Sequence, residues 1–129
     1  QRGSAVGDFD ADGRPDLVVT QNGTQTRLFR NALAEPGLRV HLNAGESNPT
    51  GVGAIARLKF GGDKLGPARV VTAGSGYWSQ DSATLILAMP ARPTHIMVRW
   101  PGGNTTSTQL PEDTMEITVN TKGKLTATK

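Results

Sequence analysis

The stretch Asp8-Phe9-Asp10-Ala11-Asp12-Gly13-Arg14-Pro15-Asp16, followed directly by Leu17-Val18-Val19-Thr20, decides how this chain is read. Four aspartates fall within nine residues, and a glycine stands sixth from the first of them. Two carboxylates about 5 Å apart repel by roughly 3 kcal/mol at an effective dielectric of 20, so such a loop calls for a cation. The spacing matches the first half of a calcium loop. There the first, third and fifth positions give side-chain oxygens, the sixth is a glycine at a sharp turn, and the seventh gives a backbone carbonyl. The candidate ligands are therefore Asp8, Asp10, Asp12, the carbonyl of Arg14, and Asp16 at the ninth position. A metal-free alternative is an Asp-rich turn held by Asx hydrogen bonds.

The loop is not an EF-hand. Its twelfth position is Val19, where that motif needs a bidentate glutamate. The residues that follow are apolar and β-branched, so the chain leaves the loop as a strand and not as a helix. Asp16–Gln21 and Gln25–Arg30 flank Asn22-Gly23-Thr24, a turn signal, and are expected to form a hairpin. One hairpin cannot bury a face alone. Leu17, Leu28 and Phe29 should therefore stay open unless something else covers them.

Beyond a linker at Ala32–Gly37 the pattern alternates with period two. Leu38, Val40 and Leu42 oppose Arg39 and His41; Ala54, Ala56, Leu58 and Phe60 oppose Ile55, Arg57 and Lys59. Further strands are expected at Ala68–Ala73, Ala83–Ala88, Thr94–Trp100, Thr105–Leu110, Thr114–Asn120 and Lys124–Thr128. The inward sets are Ile96, Val98 and Trp100 in one of these, and Met115, Ile117 and Val119 in another. Helical periodicity is confined to Asn31–Glu35 at most. With sixteen glycines and eight prolines in 129 residues, the expected fold is all-β. It is an antiparallel β-sandwich or small barrel preceded by a single propeller-blade-like hairpin carrying the calcium loop.

The aspartate loop with Leu17-Val-Val-Thr20, then Thr26-Arg-Leu-Phe-Arg-Asn31, resembles the FG-GAP or VCBS-type repeat of β-propeller proteins. The remainder resembles the ASPIC/UnbV domain. The matching pieces are Ser47-Asn48 with Gly51-Val52-Gly53-Ala54, Gly74-Ser-Gly-Tyr-Trp-Ser-Gln80, and Val98-Arg-Trp-Pro-Gly-Gly103. The resemblance implies a division into residues 1–36 and 37–129, a Ca2+ ion in the loop, upstream propeller repeats as partners, and an extracytoplasmic location. Two departures stand out. A propeller needs several blades and one repeat is present. The usual glycine-rich segment after Leu85-Ile-Leu87 is replaced by Ala88-Met-Pro-Ala-Arg92, which reshapes that loop. The chain opens just before the loop, at Gln1-Arg2-Gly3, and is expected to be the C-terminal part of a longer protein.

Other chemistry is poorly supported. The net charge is +3, but the fourteen Lys and Arg are scattered and only one Tyr and two Trp could stack on bases, so nucleic acid is not expected. No cysteine is present, which excludes disulfides, and no apolar run is long enough to span a bilayer. His41 and His95 lie on polar strand faces beside Arg39 and Arg99. Sharing one surface, they would make a positive patch; the plainer reading is solvated histidines. Ser75, Ser79 and Ser82 cluster, yet Gly74-Ser75-Gly76 lacks the nucleophile-elbow spacing. No zinc pair occurs, and Glu112, Asp113 and Glu116 have nothing evident to tune their acidity. No catalytic residue is assigned. Tyr77, Trp78, Ser79 and Gln80 combine aromatic faces with hydrogen-bonding groups, the kit for a sugar or a protein partner. If that segment is extended, at most one ring is buried, and Tyr77 is expected to be the inner one. The expected function is a non-catalytic, calcium-dependent interaction or adhesion module, with a carbohydrate-binding module as the alternative.

Overall fold

The computed structural model describes residues 3–128. The strands are β1 (Gly3–Gly7), β2 (Asp16–Thr20), β3 (Arg27–Phe29), β4 (Leu38–Asn43), β5 (Ile55–Phe60), β6 (Arg69–Val70), β7 (Leu85–Leu87), β8 (Pro93–Arg99), β9 (Thr105–Gln109), β10 (Glu116–Asn120) and β11 (Leu125–Thr128). They form a three-stranded sheet in the order β1-β2-β3 and two four-stranded sheets, β11-β10-β4-β7 and β6-β5-β8-β9. Neither four-stranded sheet closes into a barrel, so the sandwich alternative holds. One pairing is not antiparallel: β10 runs parallel to β4, with Ile117 opposite Val40 and Val119 opposite Leu42.

Alternation builds the core. Leu38, Val40, Leu42, Leu85, Leu87, Ile117 and Val119 from one sheet meet Ala56, Leu58, Phe60, Ile96 and Val98 from the other, closed by Trp100. Fully burying an aliphatic side chain of this size contributes about 1.5–3 kcal/mol, so this face-to-face cluster is the main source of stability. The Trp100 indole N–H donates to Thr106 Oγ1 at 2.9 Å, which satisfies the polar atom its burial takes from water.

Several expectations are corrected. Met115 is 45% exposed and lies outside the core. The turn before it places Asp113 at φ 55°, and β10 begins only at Glu116, so Met115 ends at the sandwich's open end beside Leu38, Met89 and Leu110. Asn31–Glu35 forms bends and no helix. The predicted Ala68–Ala73 strand is reduced to Arg69–Val70 and Ala83–Ala88 to Leu85–Leu87. His41 and His95 do not share a surface, because β4 and β8 belong to different sheets.

The N-terminal hairpin forms as expected, with Leu17 opposite Phe29 and Val18 opposite Leu28. It gains a strand, β1, that sequence patterning did not reveal; Val6 pairs with Leu17 and Ala5 with Val18. The small sheet leans on the sandwich through hydrogen bonds of both backbone and side chains. Gly37 N donates to Gly13 O at 2.8 Å, Ser82 N to Val6 O at 2.8 Å, and Val6 N to Asp81 Oδ1 at 2.8 Å. Leu17, Leu28 and Phe29 are exposed, as expected of a hairpin that cannot bury a face alone, and Val6 and Phe9 join them.

Candidate metal centre

The aspartate loop curls around one side chain. Ala11 (φ 60°) and Gly13 (φ 82°) both take left-handed backbone, which turns the chain back on Asp8. Asp8 Oδ1 accepts the Asp12 N–H at 3.0 Å and its Oδ2 the Gly13 N–H at 2.8 Å. The Asp8 side chain is 1% exposed. Asp16, also buried, ties the two ends of the hairpin to the loop. Its Oδ2 accepts the Phe9 N–H at 2.9 Å and its Oδ1 the Asn31 N–H at 2.8 Å. Each carboxylate thus serves the backbone and still keeps lone pairs, since an ionised carboxylate offers about four acceptor sites.

Asp8, Asp10 and Asp16 each offer a carboxylate oxygen, and these three oxygens lie within 4.8 Å of one another. Oxygens bound to one calcium at 2.3–2.6 Å can be no more than about 5.2 Å apart, so this triad fits a single ion. A set of three hard anionic oxygens also suits calcium better than a softer metal. Asp12 stands apart from the triad. Its Oδ1 accepts the Arg14 N–H at 2.9 Å, and its Oδ2 meets Arg14 Nη1 at 2.9 Å and Arg30 Nη2 at 3.3 Å. Desolvation works to raise the Asp12 pKa, but the hydrogen bonds and charge of Arg14, with the charge of Arg30, outweigh it and hold the carboxyl below its ordinary value.

Three guanidiniums surround the loop. Arg14 donates from Nε to Ala34 O at 2.5 Å as well as to Asp12, which pins the linker to the loop. Arg30 Nε donates to Asp10 Oδ2 at 2.5 Å. Arg39 comes from β4 of the sandwich and donates from Nη1 to Asp8 Oδ2. Its Nε lies 3.4 Å from Glu116 Oε1, near enough for attraction, but it makes no aligned hydrogen bond there. Burial works against the Arg39 charge; Asp8 and then Glu116 overcome it and push the guanidinium above its ordinary value. Sequence patterning recorded Arg39 only as an outward strand residue. No local pattern marked it, because the approach of β4 to the loop is set by tertiary packing and not by the spacing of charges in the chain.

Glu116 continues the chain of charges. His41 Nε2 lies 2.6 Å from its Oε1, and His41 Nδ1 lies 3.3 Å from Thr84 Oγ1. The His41 hydrogen bond is the largest cause holding Glu116 below its ordinary value; partial burial opposes it and Arg39 adds to it. Among the described residues no serine is hydrogen-bonded to either histidine.

Tyr77 and Trp78 do not divide into inner and outer rings. Gly76 and Ser79 bridge across a tight turn, Trp78 takes φ 53°, and both rings point outward at 71% and 80% exposure. They pack edge to face on each other, with centroids 5.9 Å apart. Ser79 is half-buried and Gln80 exposed. The expectation of a buried Tyr77 failed because it assumed an extended segment. Close by, Ser75, Asp81, Ser82 and Thr84 help line a cleft of about 550 Å³ between β1 and the sandwich.

Residues 44–126 match the family described as ASPIC and UnbV, and residues 2–26 match the FG-GAP repeat. No curated protein matches the chain. No helix among the described residues is long and apolar enough to cross a membrane.

Proposed function

The chain belongs to the ASPIC and UnbV family and carries FG-GAP repeat sequence before it, and from that premise we infer that it is a calcium-dependent, non-catalytic interaction module of a larger extracytoplasmic propeller protein. The carrying observation is the triad of Asp8, Asp10 and Asp16, with oxygens gathered to within 4.8 Å in a loop fixed by its own backbone. These residues would hold the ion, with Asp12 and the carbonyl of Arg14 as the remaining expected ligands. Bound there, calcium would supply charge neutralisation and no reaction chemistry. FG-GAP repeats generally bind calcium, and propeller association fits the exposed face of Val6, Leu17 and Phe29. Residues 1–36 act in this reading as the last blade-like unit and 37–129 as the sandwich that presents the partner surface.

Calcium titration followed by calorimetry and by thermal unfolding tests this. An ion bound only by the folded state stabilises it by about 2.7 kcal/mol at a hundred times its dissociation constant. Asp10→Asn should weaken the response while leaving the sandwich folded. A melting curve unmoved by millimolar calcium, together with silent calorimetry, would refute the reading.

A second reading, carbohydrate binding, is favoured by one observation: both Tyr77 and Trp78 are exposed at the tip of a turn. Trp78 sits at φ 53°, where a non-glycine residue costs about 1–2 kcal/mol. A glycan array on which the protein and its Trp78→Ala variant behave alike would end this reading.

A further inference from the structure

We propose that Arg39 is a counter-ion lent to the aspartate loop by the sandwich, and that it competes with the divalent cation for Asp8. The sandwich would then set how tightly the loop holds its ion. This rests on the reading of the loop as a calcium site.

The argument begins with lone pairs. Asp8 Oδ2 already takes the Gly13 N–H and the Arg39 guanidinium, and Oδ1 takes the Asp12 N–H. With two lone pairs per oxygen, one site on Oδ1 is left for a metal. The ion and the guanidinium must therefore share one buried carboxylate. Like charges brought that close in a partly desolvated site repel strongly, because little water lies between to screen them.

Arg39 and Arg30 differ in whether they can yield. Arg30 is 62% exposed and rests on Asp10 and Asp12 from outside, so it can swing into solvent when an ion arrives. Arg39 is 13% exposed, its backbone is fixed between core residues Leu38 and Val40, and Glu116 lies beside its Nε. Its charge stays next to the ion. Four aspartates and Glu116 set against three guanidiniums leave two net negative charges, so most of the repulsion is already compensated before an ion binds. The blade can therefore stay docked without metal, at the expense of affinity.

Calorimetric calcium titrations of the unaltered chain, Arg39→Met and Arg30→Met test the proposal. Arg39→Met should tighten binding by roughly tenfold or more, and Arg30→Met by about threefold or less, given its screening. In chelator, Arg39→Met should melt lower than the unaltered chain and recover more on adding calcium. Equal or weaker binding by Arg39→Met would overturn the role of Arg39 while leaving the calcium site standing. No binding by any of the three would overturn both. Should Arg39→Met fail to fold, nitrogen NMR of the unaltered chain decides: the Arg39 Nε resonance must move with calcium and saturate at the calorimetric affinity. A signal that stays still refutes the competition.

Discussion

Gly13 is the sixth residue of the aspartate loop, and replacing it with alanine separates two roles the position combines. Its φ of 82° lies in left-handed space, where a side chain costs about 1–2 kcal/mol. A Cβ there would also stand 2.9 Å from Gly37 O and 3.2 Å from Pro36 Cβ. Backbone on the far side cannot rotate away as a side chain could. The loop and linker must part by several tenths of an ångström, and the 2.8 Å bond from Gly37 N to Gly13 O is then stretched or lost. Overpacking of this kind adds about 1–3 kcal/mol, for a total near 2–5 kcal/mol. Gly23 is the control, since it has φ 70° but nothing within 4 Å of its Cβ position. Gly23→Ala should lose only the conformational part, about 1–2 kcal/mol. Urea unfolding of both variants in chelator gives the comparison. Equal losses would show that the 13–37 contact adds nothing and would refute the account of how the small sheet is docked.

Stability should fall on the acid side in a way Glu116 controls. Its folded value is depressed, so its contribution is complete above the ordinary glutamate value near 4.5 and disappears as pH drops through the lower folded value. Denaturation midpoints between pH 3 and 6 should fall less steeply for Glu116→Gln than for the unaltered chain; parallel curves would contradict this. Thr106→Val removes the acceptor of the buried Trp100 indole N–H and should cost about 1–3 kcal/mol by urea unfolding, with a changed near-ultraviolet signal from Trp100. Leu17→Ser with Phe29→Ser, on the exposed face of the small sheet, should cost under about 1 kcal/mol and reduce any self-association seen by ultracentrifugation. A larger loss of stability would mean that face is packed within the chain.

The core strands were legible because their burial is a local property of the chain. Alternation at Leu38–Leu42, Ala54–Phe60 and Ile96–Trp100 is enough to assign faces, whatever the partners turn out to be. β1 was not legible. Gly3-Ser4-Ala5-Val6-Gly7 has one β-branched residue and two glycines, and it is a strand because β2 pairs with it and Ser82 and Asp81 hold its other edge. The reversed parallel order of β10 beside β4 is likewise a matter of connection and not of propensity. Tyr77 failed for a third reason. Two glycines and a left-handed Trp78 make a turn where alternation would predict a strand.

The aspartate loop was read from its carboxylates alone, and that reading omitted half of the electrostatics. Crowded anions require positive charge, but they do not specify its form. A mobile divalent ion and fixed guanidiniums answer the same repulsion, and here the fold supplies three of the latter. Two come from within the small sheet and its loop; the third crosses from β4. The consequence is a distinction that the aspartate spacing could not make. A loop with no fixed cations would depend on an ion to fold, whereas here a bound ion would answer only the charge that the guanidiniums leave uncompensated. Because the Asp8 and Arg39 side chains are largely buried and join the loop to β4, that increment would act where the small sheet meets the sandwich.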